Sequence, residues 1–130
     1  MTASITHWAA DYIGLPWSPS HNCWHFCARV WRERFGIDVP LIEIDGADPR
    51  ATRRELELSA ERRGWREVAD PVEGDAVLMA KGARPCHVGL RLSLGGTLHC
   101  VEGAGAIFTP DGRLADLGYR VVGHYRRIAA

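Results

Sequence analysis

Cys23 and His87 are the residues of this sequence whose types and positions best suit attack on a carbonyl carbon. A thiol acts as a nucleophile in its thiolate form. A helix N-terminus stabilises that anion through unpaired N–H groups and aligned peptide dipoles. Asn22, a good helix-capping residue, directly precedes Cys23 and places the thiol in a first turn. Proton removal needs a second group, ordinarily an imidazole that a third polar residue orients. His87 and His99 are the candidates: His87 opens one strand and His99 lies on the strand that returns after Gly95-Gly96.

Other readings of the same residues are blander. A cysteine at a helix start is by itself more often a small buried hydrophobe than a nucleophile. His21, Cys23, His25 and Cys27 alternate in a way that invites zinc, but on a helix beginning at Cys23 only i and i+4 pairs share a face. That spacing fits no common zinc module, so no metal or other cofactor is expected. Cys27 falls on the apolar helix face, and Cys86 and Cys100 each adjoin a candidate histidine and so point away from it on a strand. All three read as core. Trp17 and Trp24 flank the thiol and are expected to wall a substrate groove, with His25, and His21 beside it, as further lining. His7 and His124 read as surface or structural histidines.

The elements that must position these groups follow from periodicity. Ile5, Trp8, Ala9 and Tyr12 recur at helical spacing and predict a first helix over Ser4–Ile13, with Thr2 or Ser4 as N-cap. Gly14, Pro16, Pro19 and Ser20 break regular structure. A second helix is expected over Cys23–Phe35, with Cys23, Phe26, Cys27, Val30 and Trp31 on its core face and Gly36 as its stop. Asp48-Pro49 begins a third, polar helix that ends near Arg63-Gly64, and its alternating Arg and Glu residues read as a solvated face. Short β-type runs then follow: Trp65–Val68, Ala76–Ala80, Val88–Ser93, Thr97–Val101, Ala106–Thr109 and Arg120–Ile128. Helices first and strands afterwards indicate an α+β fold, with N-terminal helices packed on an antiparallel sheet.

The hairpin between the two histidines tests the chemistry. Direct pairing of His87 with His99 would centre the turn on Ser93, whereas the glycines favour a later turn. A three-residue loop, Leu94-Gly95-Gly96, pairs His99 with Arg91 and leaves both histidines on one face, offset. A two-residue Gly95-Gly96 loop puts them on opposite faces. A site that uses both requires the first arrangement or a bulge.

The 130 residues and 46% hydrophobic composition suffice for one domain, expected over 1–130. Lys plus Arg and Asp plus Glu balance at 16 each, so no global field favours nucleic acid or an anionic membrane. No stretch approaches the length of a membrane span, and the first ten residues lack the features of a secretory leader. Synthesis in the cytoplasm and four reduced thiols are expected.

Taken together, the motifs resemble the NlpC/p-sixty group of papain-like cell-wall cysteine peptidases over roughly Tyr12 to Tyr125. The corresponding segments are Gly14-Leu15-Pro16-Trp17, Asn22-Cys23-Trp24-His25-Phe26, Gly74-Asp75-Ala76-Val77, His87-Val88-Gly89-Leu90 and Leu98-His99. The resemblance implies a papain-like fold with Cys23 as nucleophile, His87 as general base and His99 as orienting residue. It also implies hydrolysis, without a metal, of amide bonds in peptidoglycan stem peptides.

Three positions depart from the family pattern. Asn22 stands for an Asp, and Trp24-His25 for Ser-Gly; a Cys-Trp start resembles the phage-tail branch. Trp17 replaces a Tyr whose hydroxyl helps the oxyanion site in the family. An indole N–H donates from a different place, and otherwise the backbone N–H of Cys23 must serve with another donor. The expected setting is a phage or prophage tail, with tail proteins as partners. An effector-type cell-wall amidase and an inactive papain-like component of a tail tip are the alternatives.

Overall fold

Asn22 starts the single α-helix of the described residues, α1, Cys23–Phe35. The computed structural model describes residues 7–39, 64–82 and 84–128, with the side chains of 84–86 outside that description. Asn22 Oδ1 accepts hydrogen bonds from the backbone N–H groups of Trp24 and His25 at 3.0 and 3.3 Å. The Asn22 N–H in turn donates to His25 Nδ1 at 3.3 Å, which completes a reciprocal capping box. Such a cap stabilises a helix by about 1 kcal/mol. Gly36, at φ 65°, closes the other end in a left-handed conformation.

Among the described residues before α1 the chain forms one 3₁₀ turn, Trp8–Asp11, within the span where the sequence predicts a helix; residues 4–6 of that expected helix, and its N-cap, lie outside the described residues. His7 caps the 3₁₀ turn, its Nδ1 accepting from the Ala9 N–H at 3.0 Å. Tertiary contacts override the local helical pattern: Trp8 meets Tyr12 and Phe35 edge-on, and Tyr12 Oη donates to Glu33 on α1 at 2.6 Å. The third expected helix, from Asp48 to Arg63, lies outside the described residues.

Among the described residues six strands follow: β1 Trp65–Val68, β2 Ala76–Lys81, β3 Arg84–Leu92, β4 Gly96–Val101, β5 Gly105–Pro110 and β6 Arg120–Arg127. All neighbours are antiparallel in the order β1-β6-β2-β3-β4-β5, so β2 to β5 form a meander and β6 returns between β1 and β2. A 3₁₀ segment, Asp111–Leu117, joins β5 to β6; it is absent from the sequence reading. The fold is α+β, with α1 lying across β3 and β4 of an antiparallel sheet.

The core lies between α1 and one sheet face. Phe26, Cys27, Val30 and Trp31 meet Leu78, Val88, Leu90, Leu98 and Cys100 in one buried cluster. Trp24, Trp31 and Trp65 pack edge to face in series, with ring centroids 5.8 and 5.1 Å apart. Each such contact adds about 0.5–1.5 kcal/mol beyond area burial. The indole N–H of Trp31 donates to the Gly74 carbonyl at 2.7 Å, fixing α1 to the turn before β2. In that turn Asp75 accepts from the Val72 N–H at 2.7 Å and from Arg126 Nε and Nη2 at 3.0 and 2.9 Å. The Gly74-Asp75 motif is therefore a structural joint. A smaller cluster of Val77, Met79, Leu114 and Tyr119 covers the opposite sheet face.

Candidate active site

The β3–β4 hairpin decides where the histidines point. Its register is Leu90↔Leu98, Arg91↔Thr97 and Leu92↔Gly96, so the loop is Ser93-Leu94-Gly95. This corrects the expected Leu94-Gly95-Gly96 loop by one residue. Gly95 takes the positive φ, 90°, that the turn requires. Gly96 instead belongs to the strand, where a Cβ would stand 2.4 Å from the Thr109 carbonyl oxygen and 2.6 Å from the Phe108 ring. The single-residue change moves each pairing by two, so the facing is preserved: continued by one residue, this register sets His99 across from Gly89.

His87 and His99 consequently share a face, two residues out of step, and their rings meet: His87 Nε2 lies 2.8 Å from His99 Nδ1. Gly89 makes that approach possible, because a Cβ there would fall 2.5 Å from Thr97 Cγ2 and 3.0 Å from His99 Cβ. His99 Nε2 continues the chain to Thr109 Oγ1 on β5 at 2.8 Å. Thr109 is a member the sequence reading missed. Its signal was available in the alternation of β5, which sets Thr109 on the same face as Ile107, the residue paired with His99.

Both imidazoles are held neutral. Burial, followed by the cost of a second positive charge beside the His99 ring and Lys81, holds His87 well below the ordinary histidine range. Burial alone lowers His99 to about 4. Two neutral rings in contact need one donor and one acceptor. If Thr109 accepts from His99 Nε2, then His99 Nδ1 is an acceptor, His87 Nε2–H donates to it, and His87 Nδ1 carries a lone pair able to take a proton.

Cys23 and His87 line one cleft of about 160 Å³, together with Trp17, Asn22, Lys81, Glu102 and Tyr119. Cys23 is 7% exposed, whereas Cys27 and Cys100 are fully buried. Burial pushes the Cys27 thiol well up, and its Sγ–H donates weakly to the Val88 carbonyl at 3.7 Å. Burial, then the Cys23 charge, pushes Cys100 up to about 11. The Cys86 side chain lies outside the described residues. Tyr119 stacks on His87, with ring centroids 4.7 Å apart and planes 14° from parallel.

Of the expected groove walls, Trp17 lines the cleft and Trp24 does not. Trp24 is 0% exposed, and the helix turns its indole into the core against Trp31. His25 is likewise absent from the cleft lining, since its Nδ1 serves the capping box, and His21 stacks on it at 6.5 Å. The loop carrying Trp17 is pinned to β5 by two backbone bonds, Gly14 N–H to the Ala106 carbonyl at 2.9 Å and Ala106 N–H to the Leu15 carbonyl at 2.8 Å. Gly105, at φ 79°, allows this contact; a Cβ there would fall 2.5 Å from the Leu15 carbonyl oxygen. A tight Ser18↔His21 bridge then returns the chain to Asn22.

The arrangement contains what acyl transfer through a thiol needs: a thiol at a helix start, a neutral imidazole in the same cleft, and buried partners that fix that imidazole. A scan against protein-family profiles and a search of curated proteins both give no match. Among solved structures, the chain is similar to a protein of Staphylococcus aureus subsp. aureus Mu50 described as similar to lipoprotein, NLP/P60 family. The TM-score is 0.56 at 18% identity, with all of this chain and 46% of that one covered. The chain thus spans about half the length of that protein and shares an NlpC/P60-type fold with it.

Proposed function

We propose that this protein is a papain-like cysteine peptidase or amidase that hydrolyses amide bonds in peptidoglycan stem peptides. The observation that carries the reading is the chain His87–His99–Thr109 behind a cleft that also holds Cys23. The fold likeness to a protein described as of the NLP/P60 family supports the substrate class.

In this reading Cys23 Sγ attacks the scissile carbonyl carbon while its proton passes to His87 Nδ1. The backbone N–H of Cys23, in the first turn of α1, is the donor this reading assigns to the developing oxyanion. His87 then gives the proton to the leaving amine, the C–N bond breaks, and an acyl-thioester remains on Cys23. Water attacks that ester with His87 as base, releasing the acid and restoring the thiol. His99 holds the His87 ring and, as a neutral acceptor, stabilises the imidazolium that forms.

The biological setting we propose is a phage or prophage tail, supported by the Cys23-Trp24 pair at the helix start. Immunodetection on purified tail particles tests this setting, and absence of the protein from them would remove it. The chemistry is tested with purified protein and peptidoglycan fragments beside Cys23→Ala. Wild type is expected to release new amino groups and the variant none; equal release would sink the hydrolase reading. A thiol-reactive probe near neutral pH should label Cys23 well before Cys27 and Cys100.

A further inference from the structure

Lys81 ends β2 on the wall of the Cys23–His87 cleft. Its Nζ stands 4.8 Å from the centroid of the Tyr119 ring, the same ring that stacks on His87. The aromatic contact restrains the ammonium without neutralising it. Among the described residues the ion pairs engage His7, Arg29, Arg34, Arg91, Arg113 and Arg126, and none engages Lys81. A cation is thus held beside the candidate base, and no described ion pair engages it.

Which part of a substrate would meet it follows from the chemistry of the cleft. His87 delivers a proton to the departing amine, so the residue released on cleavage lies against His87 and Tyr119. We infer that Lys81 is a specificity-determining residue that binds a free carboxylate on the released residue, an inference that rests on the hydrolase reading above. The substrate class is an amide whose amine part is an amino acid, or the first residue of a short peptide, with a carboxylate within one residue of the scissile nitrogen. Glu102, on the wall of the same cleft, gives it a second charge of opposite sign. A carboxylate is attracted by one and repelled by the other, which fixes the direction in which the peptide lies.

The test uses two stem-peptide substrates that are identical except for the carboxyl group of the released residue, free in one and a carboxamide in the other. Wild type should favour the free carboxylate in kcat/KM by about tenfold, the effect of a charge-assisted contact. Lys81→Met, which keeps an apolar stem over Tyr119, should abolish that preference, Lys81→Glu should reverse it, and Lys81→Arg should retain it. A wild-type urea midpoint for each variant shows that it keeps its fold. Equal turnover of both substrates by wild type, or an unchanged preference in Lys81→Met, overturns the inference while leaving the hydrolase reading in place. Turnover of neither substrate by a wild-type protein that still labels at Cys23 removes the hydrolase reading and this inference with it.

Discussion

His99 is fully buried between His87 and Thr109, and its value as a partner depends on remaining an acceptor. Its imidazole, lowered to about 4 by burial, stays neutral across the pH range in which a thiol can be deprotonated by histidine. Replacing it with Ala removes the hydrogen-bond partner of His87 Nε2 and leaves only the Tyr119 stack to orient the ring. The expected result is a fall in kcat of about 10- to 100-fold with KM within about twofold, as for other removed orienting partners. Thr109→Val should produce a smaller loss, about three- to tenfold, because His99 keeps its place but loses its hydroxyl partner. Steady-state kinetics on one substrate checks both, and full activity in His99→Ala would remove His99 from the mechanism. At this scale the sequence disclosed chemical type well and orientation poorly. Trp24 adjoins Cys23 in the chain, yet Trp24, Cys27, Ala28 and Trp31 occupy i, i+3, i+4 and i+7 of one helix. Read by helical phase, that spacing places the indole in the core. His25 stands at the third helical position, where a side chain able to accept a bond from the cap residue has a local partner ready.

Hairpins and caps set the distances between these residues, so changes to an element should be felt as changes in reactivity. Gly89→Ala introduces a methyl group 2.5 Å from Thr97 Cγ2 and 2.9 Å from the Leu98 carbonyl oxygen. Strand β4 cannot yield without moving His99. The expected cost is about 1–3 kcal/mol in denaturant unfolding, accompanied by loss of turnover. Unchanged stability and activity would show that the two strands are less closely fixed than the register implies. Asn22→Ala removes the acceptor for two first-turn N–H groups and should lower stability by about 0.5–2 kcal/mol. The extent of α1 could be read from composition because Asn22 and Gly36 bracket an apolar stripe. The exact hairpin loop could not, because Gly95 and Gly96 are alike in sequence and different in task. One supplies a positive φ, and the other clears space for Phe108 on a strand that only the folded sheet brings near.

For the molecule as a whole, neutral buried histidines make stability depend on pH. The unfolded chain binds a proton at His99 near the usual 6.5, whereas folded His99 does so at about 4. Between those values the unfolded state holds more protons, so stability is present above about pH 6.5 and is lost as the pH falls toward 4. His99 alone accounts for roughly 3 kcal/mol, and His87, lowered in the same direction, adds to it. Urea midpoints measured at pH 7 and pH 4.5 should therefore differ, with the lower midpoint in acid. Equal midpoints would mean that neither ring is sealed from water. Fold class was legible at this scale, since helix-type periodicity gives way to strand-type runs near Trp65. Strand order was not, because nothing local to Arg120–Arg127 says that it inserts between β1 and β2.

That insertion has a consequence for a chain being made on a ribosome. Strands β2 to β5, with both histidines and Thr109, emerge as a consecutive meander that can pair without later residues. The β2 edge stays open until β6 arrives, and β1, although synthesised before the meander, has no neighbour among the described strands until then. During translation the groups around Cys23 can thus come together while one sheet edge still lacks its partner. Strand β6 both closes that edge and recruits β1.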